Sequence, residues 1–195
     1  MSSSLVDRRG AVAAAGVVPA EMATNVIGAE ELSHERAEQT VRFLRWMGLR
    51  GPDVDDALQE IFLTAHRRGG FTVGTAQPFT WLTRIAVNVV RNRRRGRRRH
   101  PEEPSERIDF QIDERDPEKH SETMESLALV ERALDTLDFD KRSLVVLLEI
   151  EGRSHEEVAR TLDIDLRTLY VRVHRAKKEF IAAFERLESN SPRAE

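Results

Sequence analysis

The amino-acid sequence predicts an all-α protein in which two small helical domains are joined by an acidic, flexible linker. Apolar residues recur at the period of amphipathic helices on both sides of a segment that is poor in them, and no strand-like alternation is long enough to compete. Charge is segregated: residues 91–99 hold seven arginines and no acid, whereas residues 102–125 hold ten acids and three bases. Blocks of this kind mark a domain boundary. The expected divisions are a disordered tail over 1–28, domains over 29–99 and 123–188, a linker over 100–122 and a tail over 189–195.

The first domain is expected to contain three helices. The apolar face of the first covers Glu35 to Leu49, and Gly51-Pro52-Asp53 separates it from the second, with Asp53 as a candidate cap. Gly69-Gly70 ends the second helix. Pro78 suits the first turn of the third helix, which we expect Gly96 to interrupt.

One side of the third helix is polar and increasingly cationic. Spacings of three and four residues place its members on one face. These residues are Thr80, Arg84, Asn88, Arg91 and Arg95. Arginine binds phosphate or a base edge, and asparagine can hydrogen-bond a base edge, so the stripe indicates a polyanionic partner. Without the arginines, a solvent-facing amphipathic helix would be the simpler interpretation.

The segment from His100 to about Thr123 combines three prolines with the excess of acids and few apolar residues. It cannot bury enough apolar surface to fold alone, which predicts a linker. Fully extended, it would reach roughly 70 Å. The flanking domains could therefore contact two separated sites on one duplex.

The last third predicts a helix-turn-helix. Asp140 is a candidate cap for one helix, and Ser154 with Glu157 fits a capping box for the next. A turn over 163–165 then leads into a long final helix, the layout of a helix-turn-helix. The outer face and flanks of that helix carry bases and no acids, which suits the major groove. These residues are Arg167, Thr168, Tyr170, Val171, Arg172, His174, Arg175 and Lys178.

Composition excludes several classes of function. The 195 residues include no cysteine, which excludes disulfides, thiolate zinc sites and thiol catalysis and fits a cytoplasmic location. No apolar run approaches the roughly 20 residues of a membrane-spanning helix, so no membrane insertion is expected. The six histidines lack ligand spacing, and no glycine-rich phosphate loop is present. We therefore expect no catalytic residue, no metal and no cofactor.

Two blocks of the sequence resemble an extracytoplasmic-function (ECF) sigma factor of the bacterial sigma-70 family. The run from Asp55 to Leu63, followed by Trp81 to Asn88, is similar to sigma region 2. The run from Glu151 to Ala159, followed by Leu166 to Ala176, is similar to sigma region 4. The resemblance implies a cytoplasmic, non-enzymatic factor that binds core RNA polymerase and directs it to particular promoters.

The resemblance also implies roles for single residues. The second helix would dock on the β′ clamp of the polymerase, and the C-terminal domain would contact the β flap. The loop from Phe71 to Pro78 would capture an unstacked base of the melted −10 element, and the third helix would hold the opened strand. The final helix would read the −35 element through the eight residues named above, and an anti-sigma protein is a further implied partner. The clamp residues would be Asp55, Asp56, Gln59 and Glu60. The −10 residues would be Phe71, Thr80, Arg84, Asn88, Arg91, Asn92 and Arg95.

Two other hypotheses fit parts of the pattern. A stand-alone helix-turn-helix regulator would bind duplex DNA tightly without polymerase, most simply at a palindrome. A purely protein-binding molecule would use the acidic strip and the helices, and would tolerate charge reversal of Arg175 and Lys178. The two region 2 blocks favour the sigma factor, because a plain regulator does not need them.

Overall fold

The computed structural model describes residues 26–74, 77–99 and 117–190, which form seven α-helices and one short antiparallel β pair. The prediction of an all-α fold is confirmed. Residues 1–25, 100–116 and 191–195, on which most of the predicted tails and linker fall, lie outside the described part. In chain order the elements are β1 (Val26–Ile27), α1 (Ala29–Trp46), α2 (Pro52–Arg67), β2 (Phe71–Thr72), α3 (Pro78–Arg99), α4 (Pro117–Asp135), α5 (Phe139–Val145), α6 (His155–Leu162) and α7 (Leu166–Ser189).

The N-terminal half comprises β1 to α3 and has an apolar centre. Phe43, Met47, Ile61 and Leu82 are fully buried where the three helices meet. The pairing of Ile27 with Phe71 joins the chain before α1 to the chain after α2, and the sequence did not predict it. As a result, the loop that precedes α3 is anchored at its first residue.

Two predictions for the N-terminal half were wrong in detail. Asp53 does not cap α2, because the N-cap is Gly51, whose φ of +48° favours glycine, and Pro52 takes the first helical position. Gly96 does not interrupt α3, which runs on to Arg99. A single glycine in a helix costs only about 1 kcal/mol relative to alanine, and the arginines around it are good helix formers.

The C-terminal half comprises α4 to α7. α4 begins at Pro117, inside the segment predicted as linker. Asp138 caps α5, with its side chain accepting a 2.9 Å hydrogen bond from the Lys141 amide, so the assignment of that cap to Asp140 was wrong. α5 continues as a π-helical segment, Val146–Ile150.

The predicted helix-turn-helix forms as α6 and α7. The capping box of Ser154 and Glu157 is present at the start of α6. Asp163, at φ +56°, ends α6 in the left-handed conformation, and the Asp165 side chain caps α7 by accepting from the Thr168 amide at 2.8 Å. The two helices therefore have fixed ends and a short connection.

The two halves pack against each other through one continuous apolar cluster. Arg142 of α5 is only 1% exposed, and its Nε donates to the Trp46 carbonyl at the end of α1 over 2.6 Å. Its Nη1 also donates to Asp135 at 2.5 Å. A Cβ atom on Gly48 would come within 2.9 Å of the Arg142 guanidinium, so this glycine makes room for it. We call the group of Arg142, Asp135, Arg50 and Glu131 the interdomain ion network.

Candidate nucleic-acid interface

The outer face of α7 is open to solvent. Seven of the eight side chains predicted there are exposed, and Thr168 is half-buried at the capped start of the helix. The imidazole of His155 stacks on the Tyr170 ring at 4.8 Å, which joins the α6 start to this face. Hydrogen bonds from Thr168 lower the pKa of the Asp165 carboxyl at the start of the helix. The exposed seven are Arg167, Tyr170, Val171, Arg172, His174, Arg175 and Lys178.

The cations of the α7 face are available for an external anion. Within the described part of the chain, no carboxylate forms an ion pair with Arg172, Arg175 or Lys178. Lys177, which lies off this face, is engaged by Glu149 at 2.7 Å. A helix with exposed arginines and apolar groups at its N-terminal end has the features needed to enter a major groove.

The polar stripe of α3 is divided. Arg84, Asn88 and Arg95 are exposed, as the spacing predicts, and Asn92 beside them is exposed as well. Thr80 is only 8% exposed, because α6 covers it and its hydroxyl donates to Glu157 Oε1 at 3.2 Å. The middle of the stripe is therefore open to solvent, whereas its first residue, Thr80, is buried under α6.

The far end of the stripe meets the C-terminal half in a cationic cleft. The guanidinium carbons of Arg91 and Arg94 lie 5.3 and 5.7 Å from the centre of the Phe139 ring. Arg91 also approaches Asp140 at 3.7 Å. The cleft between α3, α5 and α7 has a volume of about 580 Å³ and is lined further by Arg95, Arg172 and Arg175. We call it the arginine cleft, and it brings the predicted −10 and −35 residues to one place.

Phe71 does not occupy the position predicted for it. Its ring is 1% exposed and packs against Trp81 with ring centres 5.9 Å apart. It cannot stack on a base without leaving the core, and its contact with a base stays a prediction. Val73 and Gly74, next along the loop, are exposed, and residues 75–76 lie outside the described part.

The polar face of α2 combines acids with an apolar groove. Asp55, Asp56 and Gln59 are exposed, and Glu60 is half-buried because Arg93 Nε donates to it at 3.0 Å. Beside them Leu63 is 48% exposed, at the edge of a groove that α2 forms with the start of α1. Acidic side chains around exposed apolar surface are typical of a protein docking site.

Sequence reasoning missed the residues that join the halves. Phe139 and Arg142 were not singled out, although Phe139 contacts Arg91 and Arg94 of α3 and Arg142 contacts the end of α1. A signal for Arg142 exists: with Phe139 and Val146 it falls at spacings of three and four residues, on the apolar stripe of its helix. A charged residue on such a stripe indicates a buried partner.

The described residues were also inspected for a metal site and for a membrane-spanning helix, and neither was found among them. No group of three histidine, aspartate or glutamate side chains within them is arranged to hold a metal ion. None of the helices in those ranges has both the length and the apolar character needed to cross a bilayer.

Comparison with known proteins identifies both halves. The family model for sigma-70 region 2 matches residues 34–100, and that for sigma-70 region 4 matches residues 127–180. The ECF RNA polymerase sigma factor SigM of Mycobacterium tuberculosis is 31% identical over 163 residues, which cover 84% of this chain and 80% of SigM. The ECF sigma-E factor of Escherichia coli is 32% identical over 137 residues, covering 65% of this chain and 71% of the relative.

Two solved structures share the fold. CnrH, solved in complex with the cytosolic domain of CnrY, matches with a TM-score of 0.55 and 24% identity, over 84% of this chain and 89% of CnrH. RpoE from Bartonella quintana, solved with the anti-sigma factor NepR, matches with a TM-score of 0.61 and 20% identity, over 80% of this chain and 98% of RpoE. At these identities the likeness concerns the fold.

Proposed function

The chain belongs to the sigma-70 family, among the ECF RNA polymerase sigma factors, and from this membership we infer that it binds core RNA polymerase and directs initiation at particular promoters. Members of this family are non-enzymatic initiation factors, and the polymerase supplies the chemistry. The observation that carries the inference is the presence of regions 2 and 4 in one chain, each with an exposed cationic helix face. A stand-alone helix-turn-helix regulator is not favoured, since it has no need of region 2. We place the protein in the cytoplasm, where core polymerase works.

We propose that the polar face of α2 docks on the β′ clamp. Asp55, Asp56 and Gln59 are accessible, and Glu60 remains half-exposed beside Arg93. The neighbouring Leu63 supplies apolar area that ion pairs alone would lack. Contact of the C-terminal half with the β flap, and an anti-sigma protein as a further partner, are proposals from family membership alone.

We propose that α3 holds the opened −10 strand. Arg84, Asn88, Asn92 and Arg95 are accessible to it, and Arg91 would exchange Asp140 for a phosphate. Exposed arginines and asparagines suit both backbone and base contacts. Thr80 would join this surface only when α6 moves away from it.

We propose that α7 enters the major groove of the −35 element. Its N-terminal residues Arg167, Thr168, Tyr170 and Val171 would read bases. Farther along the helix, the base-contacting and phosphate-contacting roles would fall to the remaining exposed residues of the face. These are Arg172, His174, Arg175 and Lys178.

The test is reconstitution with purified core polymerase. The protein should co-purify with core and start transcription at a defined subset of genomic templates. The variant Asp55→Lys with Asp56→Lys should lose core binding, whereas Glu185→Lys with Glu188→Lys, an equal charge change at exposed positions near the end of α7, should keep it. Wild-type protein that fails to bind core would refute the proposed function.

A further inference from the structure

We propose that the arginine cleft binds a compact polyphosphate, either an inorganic phosphate chain or the phosphate chain of a nucleotide. The cleft lies between α3, α5 and α7, and its volume of about 580 Å³ falls within the range of about 300–1,000 Å³ that small-molecule sites occupy. Six of the ten residues that line it are basic, and two are acidic. The inference goes beyond the proposed function, because it concerns a small ligand and not promoter DNA.

The acids of the cleft do little to neutralise its arginines. Asp138 caps α5 and pairs with the ammonium group of Lys141 at 3.0 Å, and Glu179 contacts the same ammonium group at 2.7 Å. Asp140 approaches Arg91 only to 3.7 Å, and its side chain is 68% exposed. The lysine of the cleft is therefore paired with acids, whereas most of the arginines are not.

Three arginines of the cleft keep their positive charge for a ligand. Arg95 extends from α3, and Arg172 and Arg175 extend from α7. All three are exposed, and among the described residues no carboxylate forms an ion pair with any of them. A cleft that is lined by one sign of charge concentrates the electric field and attracts counter-ions. The arrangement therefore favours an anion that can contact both helices.

Phe139 positions two further arginines of the cleft. The guanidinium carbons of Arg91 and Arg94 lie over its ring, at 5.3 and 5.7 Å from the ring centre. Arg94 also donates from Nη2 to the Met47 carbonyl at 3.2 Å. A cation–π contact acts on the face of a guanidinium group, whereas the N–H donors lie in its plane. The ring therefore orients both arginines without using their hydrogen-bond donors.

Charge and shape together indicate the class of ligand. The guanidinium group of arginine can donate two parallel hydrogen bonds to a phosphate group. A chain of phosphoryl groups offers separate oxygens to arginines on two helices, which a single phosphate does not. A DNA duplex accepts a helix into its major groove and therefore needs a convex protein surface, whereas this site is concave. A compact polyphosphate satisfies both conditions.

The proposed site shares four arginines with the surfaces assigned to DNA. Arg91 and Arg95 belong to the proposed −10 surface, and Arg172 and Arg175 belong to the proposed −35 surface. A phosphate chain that contacts these side chains would compete with promoter DNA for them. This competition rests on the proposed function, whereas the binding site itself rests on the cleft alone.

The test is isothermal titration calorimetry of the full chain with inorganic tripolyphosphate, without divalent cations. At roughly 0.15 M salt, exposed charges are screened beyond about 8 Å, so distant cations contribute little. The variant Arg95→Ala with Arg172→Ala removes one arginine from each side of the cleft. Its matched control, Arg167→Ala with Lys178→Ala, makes the same charge change at exposed positions of α7 that do not line the cleft. All four side chains are exposed, so both variants should fold, and circular dichroism checks this.

Tripolyphosphate should bind the unmodified chain more tightly than orthophosphate or citrate does. The cleft variant should lose at least about tenfold in affinity, because it removes charged hydrogen bonds, and the control should lose less than about threefold. Equal losses in the two variants, or citrate binding as tightly as tripolyphosphate, would overturn the proposal.

A titration with ATP distinguishes the two sources of the ligand. An affinity equal to that of tripolyphosphate supports a site for the phosphate chain alone, and a higher affinity supports a site for a nucleotide. Binding of ATP that the cleft variant leaves unchanged would overturn the site for either source. Binding to core polymerase, measured separately, tests the sigma assignment, so either result can fail while the other stands.

Discussion

Replacement of Arg142 by methionine tests whether the interdomain ion network joins the two halves. Methionine keeps most of the length of the side chain and removes its charge and donors. The substitution deletes the 2.6 Å bond to the Trp46 carbonyl and the 2.5 Å bond to Asp135. Asp135 keeps its second partner, Arg50, at 3.1 Å.

The expected loss is about 3 kcal/mol in the free energy of unfolding. Hydrogen bonds to charged groups contribute roughly 1.5–3 kcal/mol each, so two of them set an upper range of about 3–6 kcal/mol. Two features reduce the loss. Burial lowers the pKa of the Arg142 guanidinium despite the opposing Asp135 carboxylate, so keeping the charged side chain inside already has a cost. Its Nη2 also finds no acceptor among the described residues, and methionine removes that donor.

The assay is thermal unfolding followed by circular dichroism. For a chain of this size, 1 kcal/mol corresponds to about 2–4 °C in Tm, so Arg142→Met should lower Tm by about 6–12 °C. Arg91→Met is the matched control, and it should cost about 1 kcal/mol because its partner Asp140 is 68% exposed. A loss below about 1 kcal/mol for Arg142→Met, or a larger loss for Arg91→Met, would refute the reasoning.

Three further predictions follow from the charged groups. Burial raises the pKa of Glu151, and the charges of Arg153 and Arg42 only partly oppose this effect. A group whose pKa is higher in the folded than in the unfolded chain makes the folded protein less stable as the pH rises above the unfolded pKa. Glu151→Gln should therefore raise Tm at pH 7, and a series of melting curves should show this gain vanishing below about pH 4.5. Arg175→Ala should cost roughly 1–3 kcal/mol on −35 duplexes where it contacts a guanine, measured by titration of holoenzyme; an equal loss on every duplex would indicate a backbone contact. Arg91→Ala with Arg95→Ala should lower the log–log salt slope of holoenzyme–promoter binding by about one to two, and an unchanged slope would place both arginines off the DNA.

Local patterns in the sequence predicted the helices well because helix formation depends on neighbours within a few turns. The capping box at Ser154 and the turn over 163–165 were read correctly for that reason. The choice between Asp138 and Asp140 as a cap was not fixed by residue type, since either can accept from a helix amide. The path of the backbone decides between the two residues, because it places the Asp138 carboxylate within 2.9 Å of the Lys141 amide.

The contact between the halves could not be predicted in the same way. Thr80 and Glu157 are 77 residues apart, and Trp46 and Arg142 are 96 residues apart. The helical periodicity of the sequence reaches over a few turns only, so it gives no indication of either contact. Spacing placed Thr80 on the polar stripe of α3, where a helix alone would leave it exposed. The burial of Phe71 could not be predicted for a related reason: Phe71 pairs with Ile27 of β1, whose two residues carry no recognisable strand signal.

The interdomain contacts differ enough in strength to show which of them contributes most to holding the two halves together. Arg91 and Asp140 lie 3.7 Å apart with the Asp140 side chain 68% exposed, and exposed pairs of this kind contribute about 0–1 kcal/mol. Under the proposed role of α3, displacement of Asp140 by DNA would cost at most about fivefold in affinity. Arg142 is buried and costs several times more to release. Because salt screens exposed pairs much more than buried ones, added salt should weaken the proposed DNA contacts of α3 well before it weakens the buried contacts of Arg142.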